Sequence, residues 1–197
     1  MIALNLNDLI DAFVLTEINT PTESLELFVL PGYRSFCYTR PNRRGGGIAV
    51  FVRDVYTTSR LDISFVHAES VAFRIITKHA SFLLMAVYRP PSNSASNFIL
   101  ELEKVVSSWT LEQQVCVVGD FNIDTLASSK PVVIHYLTHF YSHGIECSIQ
   151  SPTREGFLNG SLVASCLDHI NVRGPSFNIQ SCVINQKLAD HYFTACQ

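Results

Sequence analysis

The segment 115–122, VCVVGDFN, constrains the fold of this chain more than any other. Its first four residues are apolar, and a short apolar run bounded by a glycine is typical of a buried strand. Asp120 and Asn122 follow directly, so the strand delivers a carboxylate and an amide to the rim of a rigid sheet. Because ligands of open α/β sheets bind at such strand ends, we expect this rim to carry the chemistry of the protein.

The rest of the chain alternates between strand-like and helix-like patterns. Segments rich in β-branched and aromatic residues predict strands at 11–17, 35–39, 48–52, 71–77, 81–88, 145–149, 166–172, 178–184 and 192–195. Apolar residues at helical spacing predict helices at 95–109 and 131–142, and residues 1–11 have the pattern of a helix end. Strands in both halves, separated by helices, predict a two-sheet α/β sandwich that forms one domain over residues 1–197.

The composition is that of a packed globular domain, with 47% hydrophobic and 16% charged residues. No apolar run approaches the roughly 20 residues of a membrane span, and the N-terminus lacks the basic segment of a secretory signal. Six cysteines without C-x-x-C spacing predict free and mostly buried thiols, so we expect an intracellular protein in a reducing compartment. The net charge of −3 offers nucleic acid no overall attraction, so DNA binding would require local patches or metal ions.

Acidic residues stand at the ends of predicted apolar strands or inside them: Glu17, Asp120, Asp168 and Asp190. Buried carboxylates are costly unless they are paired, hydrogen-bonded or bound to a cation, so the set indicates a shared metal site. Oxygen ligands, with the amide of Asn122 nearby, favour Mg²⁺ or Mn²⁺ over zinc. For any one of these residues alone, a helix cap or a turn is the more common role.

A second constellation involves His191, which follows Asp190 near the C-terminus. Asp168 could orient the imidazole ring of His191, although an Asp-His dipeptide near a terminus is by itself usually a surface pair. His169 is expected to face away from Asp168, because neighbouring side chains of a strand alternate between faces. The remaining histidines lack such a context and are interpreted as structural or surface groups: His67, His79, His135, His139 and His143.

Three further segments offer groups that bind phosphate. Tyr88 and Arg89 end a predicted strand, where they could contact a substrate phosphate, although a core tyrosine before a loop gives the same pattern. The segment 40–47, RPNRRGGG, lacks the P-loop pattern and equally fits a hairpin turn, while Thr153 and Arg154 offer a hydroxyl and a cation in a loop. The absence of G-x-S-x-G, H-E-x-x-H and C-x-x-C motifs argues against a serine hydrolase or a zinc enzyme and leaves phosphate chemistry.

Seven short motifs follow one another along nearly the whole chain: Leu15-Thr16-Glu17, Gly45-Gly46-Gly47-Ile48-Ala49-Val50, Val87-Tyr88-Arg89-Pro90-Pro91, Gly119-Asp120-Phe121-Asn122-Ile123-Asp124, Pro152-Thr153-Arg154, Leu167-Asp168-His169-Ile170 and Asp190-His191. In this order they resemble the endonuclease/exonuclease/phosphatase superfamily and, more narrowly, the endonuclease domain of jockey-like non-LTR retrotransposon polyproteins. The resemblance implies a two-sheet α/β sandwich that uses Mg²⁺ or Mn²⁺ to hydrolyse a phosphodiester bond of DNA. In this family the nick leaves a 3′-hydroxyl, and such a protein would act in the nucleus.

The resemblance also implies roles for individual residues. Asp120 is expected to align or deprotonate the attacking water, with Asn122 holding the phosphate and Asp120 in register. His191, oriented by Asp168, is expected to contact the scissile phosphate. The expected metal site comprises Glu17 as a ligand and Asp190 beside it. The expected phosphate contacts are Tyr88 and, peripherally, Thr153 and Arg154.

The chain departs from this family at its N-terminus. Family members begin with a strand whose asparagine helps to form the metal site, whereas this sequence opens on the helix-like segment 1–11, where Asn5 and Asn7 stand in a different context. We therefore expect an N-terminally truncated domain without its first core strand, from a polyprotein that could carry a downstream reverse transcriptase domain. Two alternatives to an active endonuclease remain open: a catalytically silent relic and a phosphomonoesterase of the same superfamily.

Overall fold

A computed structural model describes residues 10–20, 29–40, 45–111, 113–174, 179–187 and 190–197 of the chain. The first half contains the strands β1 (Ala12–Thr16), β2 (Tyr33–Tyr38), β3 (Ile48–Arg53), β4 (Thr57–Leu61), β5 (Glu69–Ile76) and β6 (Ser81–Tyr88). The middle contains α1 (Ala95–Ser107), β7 (Gln114–Asp120) and α2 (Pro131–Ser142). The remainder contains β8 (Glu146–Cys147), β9 (Arg154–Leu158), β10 (Ser161–Ser165), β11 (Asp168–Arg173), β12 (Ser181–Lys187) and β13 (Tyr192–Cys196).

The largest sheet has six strands in the order β4-β5-β6-β7-β11-β8. Its neighbouring strands are antiparallel except for β6 and β7, which run parallel and are connected through α1, because parallel strands require a crossover. Ser94 caps α1 by accepting a hydrogen bond from the backbone nitrogen of Asn97 at 3.2 Å. The helix buries four side chains in the core: Phe98, Ile99, Leu102 and Val106.

A second layer packs on the face of this sheet opposite the helices. It consists of the three-stranded sheet β1-β3-β2 and the two-stranded sheet β12-β13. The side chains of β7 alternate between the two faces of the sheet. Val115 and Val117 pack with the helices in one core cluster, whereas Cys116 and Val118 contact the second layer. This arrangement is the predicted two-sheet α/β sandwich, so the predicted fold class is confirmed.

Most predicted elements are found close to their predicted bounds. The bounds of β6 and α2 match the prediction, and β12 begins and ends three residues later than predicted. The apolar patterns missed β4, β9 and β10, whose side chains are mostly exposed and therefore lack a strand-like apolar signal. The helix end predicted at 1–11 lies almost entirely outside the described residues, and the missing first strand remains a prediction.

Gly119 is explained by the close approach of β6 and β7. Its φ is 136°, and a Cβ atom at this position would lie 1.9 Å from the backbone oxygen of Val87. A larger residue would therefore push the two central strands apart. Because Asp120 comes next, this contact fixes the point from which its carboxylate emerges.

All six cysteines are free thiols, as predicted. The prediction that they are mostly buried is wrong, because only Cys166 is buried, while Cys182 and Cys196 are exposed in β12 and β13 of the smaller sheet. Among the helices that the structure describes, none combines the length and the apolar character of a membrane span.

Candidate active site

Three polar side chains meet at one end of the six-stranded sheet. Asp120 is the last residue of β7 and Asp168 the first residue of β11, and the antiparallel register places them opposite each other. His191 lies immediately before β13 in the second layer. Ligand atoms of Asp120, Asp168 and His191 lie within 4.8 Å of one another, an arrangement that no other three His, Cys, Asp or Glu side chains in the described segments share.

His191 is held by Asp168. The Nδ1 atom of the ring lies 2.7 Å from Oδ2 of Asp168, and the two side chains are 26% and 17% exposed. The hydrogen bond to Asp168 raises the pKa of His191, because the carboxylate favours the protonated ring. With Nδ1 engaged, the ring can present Nε2 to a ligand, and the structure thus brings together the pair that the sequence suggested.

Asp120 is buried, with 4% of its surface exposed. Its Oδ1 accepts a hydrogen bond from the backbone nitrogen of Asn122 at 2.9 Å, and its Oδ2 accepts one from the Asn122 amide at 3.2 Å. Burial and the nearby Asp168 carboxylate raise the pKa of Asp120 to about 7. A carboxyl group with this pKa can exchange a proton with water near neutral pH.

Arg89 is buried and does not face the space where a substrate would bind. It is only 3% exposed, and its guanidinium donates to the backbone oxygens of Phe121 at 2.7 Å, Asn122 at 2.6 Å and Pro90 at 3.1 Å. A further hydrogen bond reaches the carbonyl of Asn93. A guanidinium occupied by four backbone oxygens is not available to a phosphate, so the expected substrate contact is wrong. Arg89 instead fixes the loop that carries Asn122.

Tyr88 and Glu17 form a hydrogen-bonded pair beside this group. Tyr88 lies opposite Asp120 in the parallel register of β6 and β7, and its hydroxyl donates to Oε1 of Glu17. Burial and this hydrogen bond raise the pKa of Tyr88, so the phenol remains a donor. Glu17 is exposed directly after β1, and its negative charge also raises the pKa of Asp120. Its carboxylate therefore belongs to the edge of the same site.

Thr153 also differs from its expected role as a substrate contact. Its side chain is fully buried, and its Oγ1 accepts hydrogen bonds from the backbone nitrogens of Leu167 at 2.9 Å and Asp168 at 3.1 Å. Its carbonyl accepts from the backbone nitrogen of Tyr192 at 2.7 Å. Thr153 therefore ties the start of β11 to the start of β13 and positions Asp168 relative to His191.

Asp190 and Arg154 pair with each other at the surface. The Nε and Nη2 atoms of Arg154 lie 2.9 and 2.8 Å from Oδ2 of Asp190, and the side chains are 48% and 58% exposed. The carboxylate of Asp190 is thus directed to Arg154 and lies outside the group of three, which departs from its expected place at the metal site. Arg154 remains half-exposed and forms a β-bridge with His191.

A buried polar chain supports the site from behind. The ring of His169 faces away from Asp168, as expected, and stacks on Phe121 with centroids 5.0 Å apart. Its Nδ1 lies 2.9 Å from the hydroxyl of Tyr136, which accepts a hydrogen bond from the Asn171 amide at 3.0 Å. Burial lowers the pKa of His169 to about 4, so the ring is neutral at physiological pH.

Glu69 is a buried site residue that no sequence pattern singles out. It opens β5 directly opposite Tyr88 and accepts hydrogen bonds from Arg40 and from the backbone nitrogen of Gly47. Only the register of β5 against β6 brings it to the site, and register is a property of strand pairing rather than of a single segment.

The carboxylates of Asp120 and Asp168 form an acidic group that suits a divalent cation nearby. Carboxylate oxygens are the ligands that Mg²⁺ and Mn²⁺ prefer, and Glu17 adds a further carboxylate at the edge. Asp168 raises the pKa of Asp120, so the two carboxyl groups repel each other when both are ionised. A cation bound nearby would offset this repulsion, so these acidic side chains fit a divalent cation.

Solved structures with the same architecture identify the fold. The endonuclease domain of TRAS1, a telomere-specific non-LTR retrotransposon, has a TM-score of 0.70 and 15% identity over 86% of this chain and 81% of that chain. TDP2 of D. rerio, complexed with single strand DNA product, has a TM-score of 0.63 and 13% identity over 94% and 84%. An endonuclease/exonuclease/phosphatase family protein from Bacteroides thetaiotaomicron has a TM-score of 0.60 and 17% identity over 92% and 80%.

No protein-family model and no curated protein matches the chain in sequence. The likeness to the solved structures therefore lies in the backbone. It shows that the chain has the endonuclease/exonuclease/phosphatase fold, which the motifs predict.

Proposed function

We propose that this chain, with its endonuclease/exonuclease/phosphatase fold, is a divalent-metal-dependent endonuclease that nicks DNA. The observation that carries the proposal is the meeting of Asp120, Asp168 and His191 within 4.8 Å at the end of the central sheet. The structural likeness to a retrotransposon endonuclease domain supports it. We further propose that the chain is the endonuclease domain of a non-LTR retroelement, acting on nuclear DNA with Mg²⁺ or Mn²⁺.

Asp120 is the proposed base that activates water. A water molecule attacks the phosphorus of a DNA phosphodiester, and the proton that it loses passes to the Asp120 carboxylate. A pKa of about 7 suits this transfer, because the group is partly ionised at neutral pH. Asn122 holds both carboxylate oxygens, and Arg89 holds the carbonyl of Asn122, so the base is oriented before substrate binds.

His191 is the proposed group that stabilises charge on the phosphate. Asp168 raises the pKa of His191, which increases the protonated fraction, and its Nε2–H can donate to a phosphate oxygen. The bond from phosphorus to O3′ breaks, and the departing oxygen takes a proton from solvent to leave a 3′-hydroxyl and a 5′-phosphate. Glu17, at the edge of the site, is the carboxylate that would hold Mg²⁺ or Mn²⁺, and the cation would supply positive charge to the phosphate.

A plasmid-nicking assay tests the proposal. We expect the chain to convert supercoiled plasmid to open circles with Mg²⁺ and to lose this activity in EDTA. Asp120→Ala and His191→Ala should each slow nicking by about 100-fold or more, because each removes a group used in the transition state. Asp62→Ala and His79→Ala replace exposed residues of the same types and should nick like the unsubstituted chain.

The same assay separates the alternatives. Nicking that survives both Asp120→Ala and His191→Ala would refute the assigned site. Hydrolysis of p-nitrophenyl phosphate by a chain that leaves plasmid intact would indicate a phosphomonoesterase. A folded chain that acts on neither substrate would be a silent relic.

A further inference from the structure

Glu69 fixes a second charged cluster next to the proposed site. Glu69 is 5% exposed, and its carboxylate accepts a hydrogen bond from the backbone nitrogen of Gly47 at 2.6 Å and is paired with Nε of Arg40. A buried carboxylate needs such a partner, because leaving it unpaired in the interior is strongly unfavourable. The position of Glu69 in β5 therefore determines where the guanidinium of Arg40 lies.

Arg40 is held against the face of Tyr88. Its Cζ lies 6.0 Å from the centroid of the Tyr88 ring, whose hydroxyl binds Glu17. A Cβ atom on Gly46 would lie 2.8 Å from Cζ of Arg40 and 2.6 Å from Oε1 of Glu69, so the glycine leaves the space that the ion pair occupies. The guanidinium is thus positioned by contacts on several sides before any ligand arrives.

The remaining hydrogen-bonding capacity of Arg40 distinguishes it from Arg89 and Arg154, the other arginines near the site within the described segments. Arg89 is buried and uses its guanidinium on backbone oxygens, and Arg154 uses both Nε and Nη2 on Asp190. Arg40 uses Nε on Glu69, its two terminal nitrogens bond to no described residue, and its side chain is 25% exposed.

The negative charge around the site makes a positively charged phosphate contact favourable. Glu17, Asp120 and Asp168 are all acidic, whereas DNA approaches as a polyanion. Arginine binds phosphate oxygens through two parallel N–H groups, which are the groups that Arg40 retains.

We propose that Arg40 binds a backbone phosphate of the DNA substrate beside the Tyr88–Glu17 pair. This inference rests on the proposed nuclease function and adds a substrate-binding residue to it. Glu69 acts as a positioning residue, because it sets the place of the guanidinium without contacting the substrate.

Binding to a short fluorescent duplex in EDTA, measured over a series of salt concentrations, tests the inference. The double variant Arg40→Gln/Glu69→Gln removes both charges together, so no carboxylate is left buried without a cation. We expect this double variant to keep the melting temperature of the unsubstituted chain. The slope of log K against log[salt] should become less negative by about 0.9, which is the contribution of one phosphate contact. With Mg²⁺ present, its KM for plasmid should rise more than its kcat falls.

Two single variants serve as comparisons. Arg60→Gln removes an exposed arginine from the edge strand β4 and should leave the slope unchanged. Arg40→Gln alone should make the slope less negative and lower the melting temperature, because Glu69 then loses its cation.

A double variant with the original slope and KM would show that Arg40 only neutralises Glu69 and would overturn the inference. An unsubstituted chain that neither binds nor nicks DNA would instead overturn the proposed function.

Discussion

The chemistry of single residues here depends on what burial does to their charges. Asp120 and His169 are both buried, and burial disfavours the ionised form of each. The shift therefore raises the pKa of the acid and lowers that of the base. The two groups consequently contribute to the pH dependence of stability with opposite signs.

Asp120→Asn should stabilise the metal-free chain above neutral pH while abolishing the proposed nicking. The folded pKa of about 7 lies above the ordinary value of 3.8, so the folded state loses stability as pH rises between these values. At pH 8 the substitution removes a buried charge and should raise the free energy of unfolding by on the order of 2 kcal/mol. Thermal melts in EDTA at pH 5 and pH 8 check this, and an equal effect at both pH values would contradict it.

His169→Gln should change the response to acid in the opposite direction. Neutral His169 stabilises the fold fully above its ordinary pKa of 6.5, and this contribution is lost as pH falls towards the folded pKa of about 4. The stability advantage of the unsubstituted chain over His169→Gln should therefore shrink by up to about 3 kcal/mol between pH 7 and pH 4. Urea unfolding across this range measures it. His79→Gln, at an exposed histidine, should give a curve parallel to that of the unsubstituted chain.

At the scale of elements, the hairpin formed by β9 and β10 extends apolar side chains into solvent beside the site. Phe157 and Leu162 face each other across the hairpin and are 79% and 60% exposed. The hairpin starts at Arg154, which bridges to His191. If the chain nicks DNA as proposed, exposed apolar residues in this position would serve as wedges against the minor groove.

Replacing both Phe157 and Leu162 with serine should alter DNA recognition and leave stability unchanged. The side chains bury little surface in the free protein, so the melting temperature should stay the same or rise slightly. Mapping nick positions on a defined duplex should show a changed distribution of sites and an increased KM. The control Val66→Ser removes an apolar side chain that is 84% exposed elsewhere, and it should leave the map unaltered. An unchanged map for the double variant would exclude a role of the hairpin in recognition.

At the scale of the whole molecule, the site exists only when both layers of the sandwich are assembled. Asp120 and Asp168 come from the central sheet, while Glu17 and His191 lie at β1 and β13 of the second layer. A cation bound between these layers would therefore stabilise the fold as a unit.

Mg²⁺ should raise the melting temperature of the unsubstituted chain in a saturable manner. At a concentration 100 times the dissociation constant the gain is about 2.7 kcal/mol, which corresponds to several degrees for a domain of this size. Glu17→Gln should lose most of this gain, and NaCl at equal ionic strength should not reproduce it. The same shift in both proteins would place the cation elsewhere, and no shift in either would favour a silent relic.

The amino-acid sequence by itself determined most of the elements, though not the exposed strands β4, β9 and β10, and the order of the polar motifs. The strands β6 and β7 and the helix α2 follow from apolar runs and helical spacing, which are local properties of consecutive residues. The sequence also predicts that His169 faces away from Asp168, because consecutive side chains of a strand point to opposite faces.

Only the tertiary structure decided which of the polar groups meet. Arg89 could have faced a phosphate, but the approach of β6 to the loop after β7 directs it to backbone oxygens instead. Thr153 lies under Asp168, and Glu69 reaches Tyr88 only through the register of β5 and β6. These contacts join segments distant in sequence, and strand register and layer packing, which no single segment encodes, bring them together.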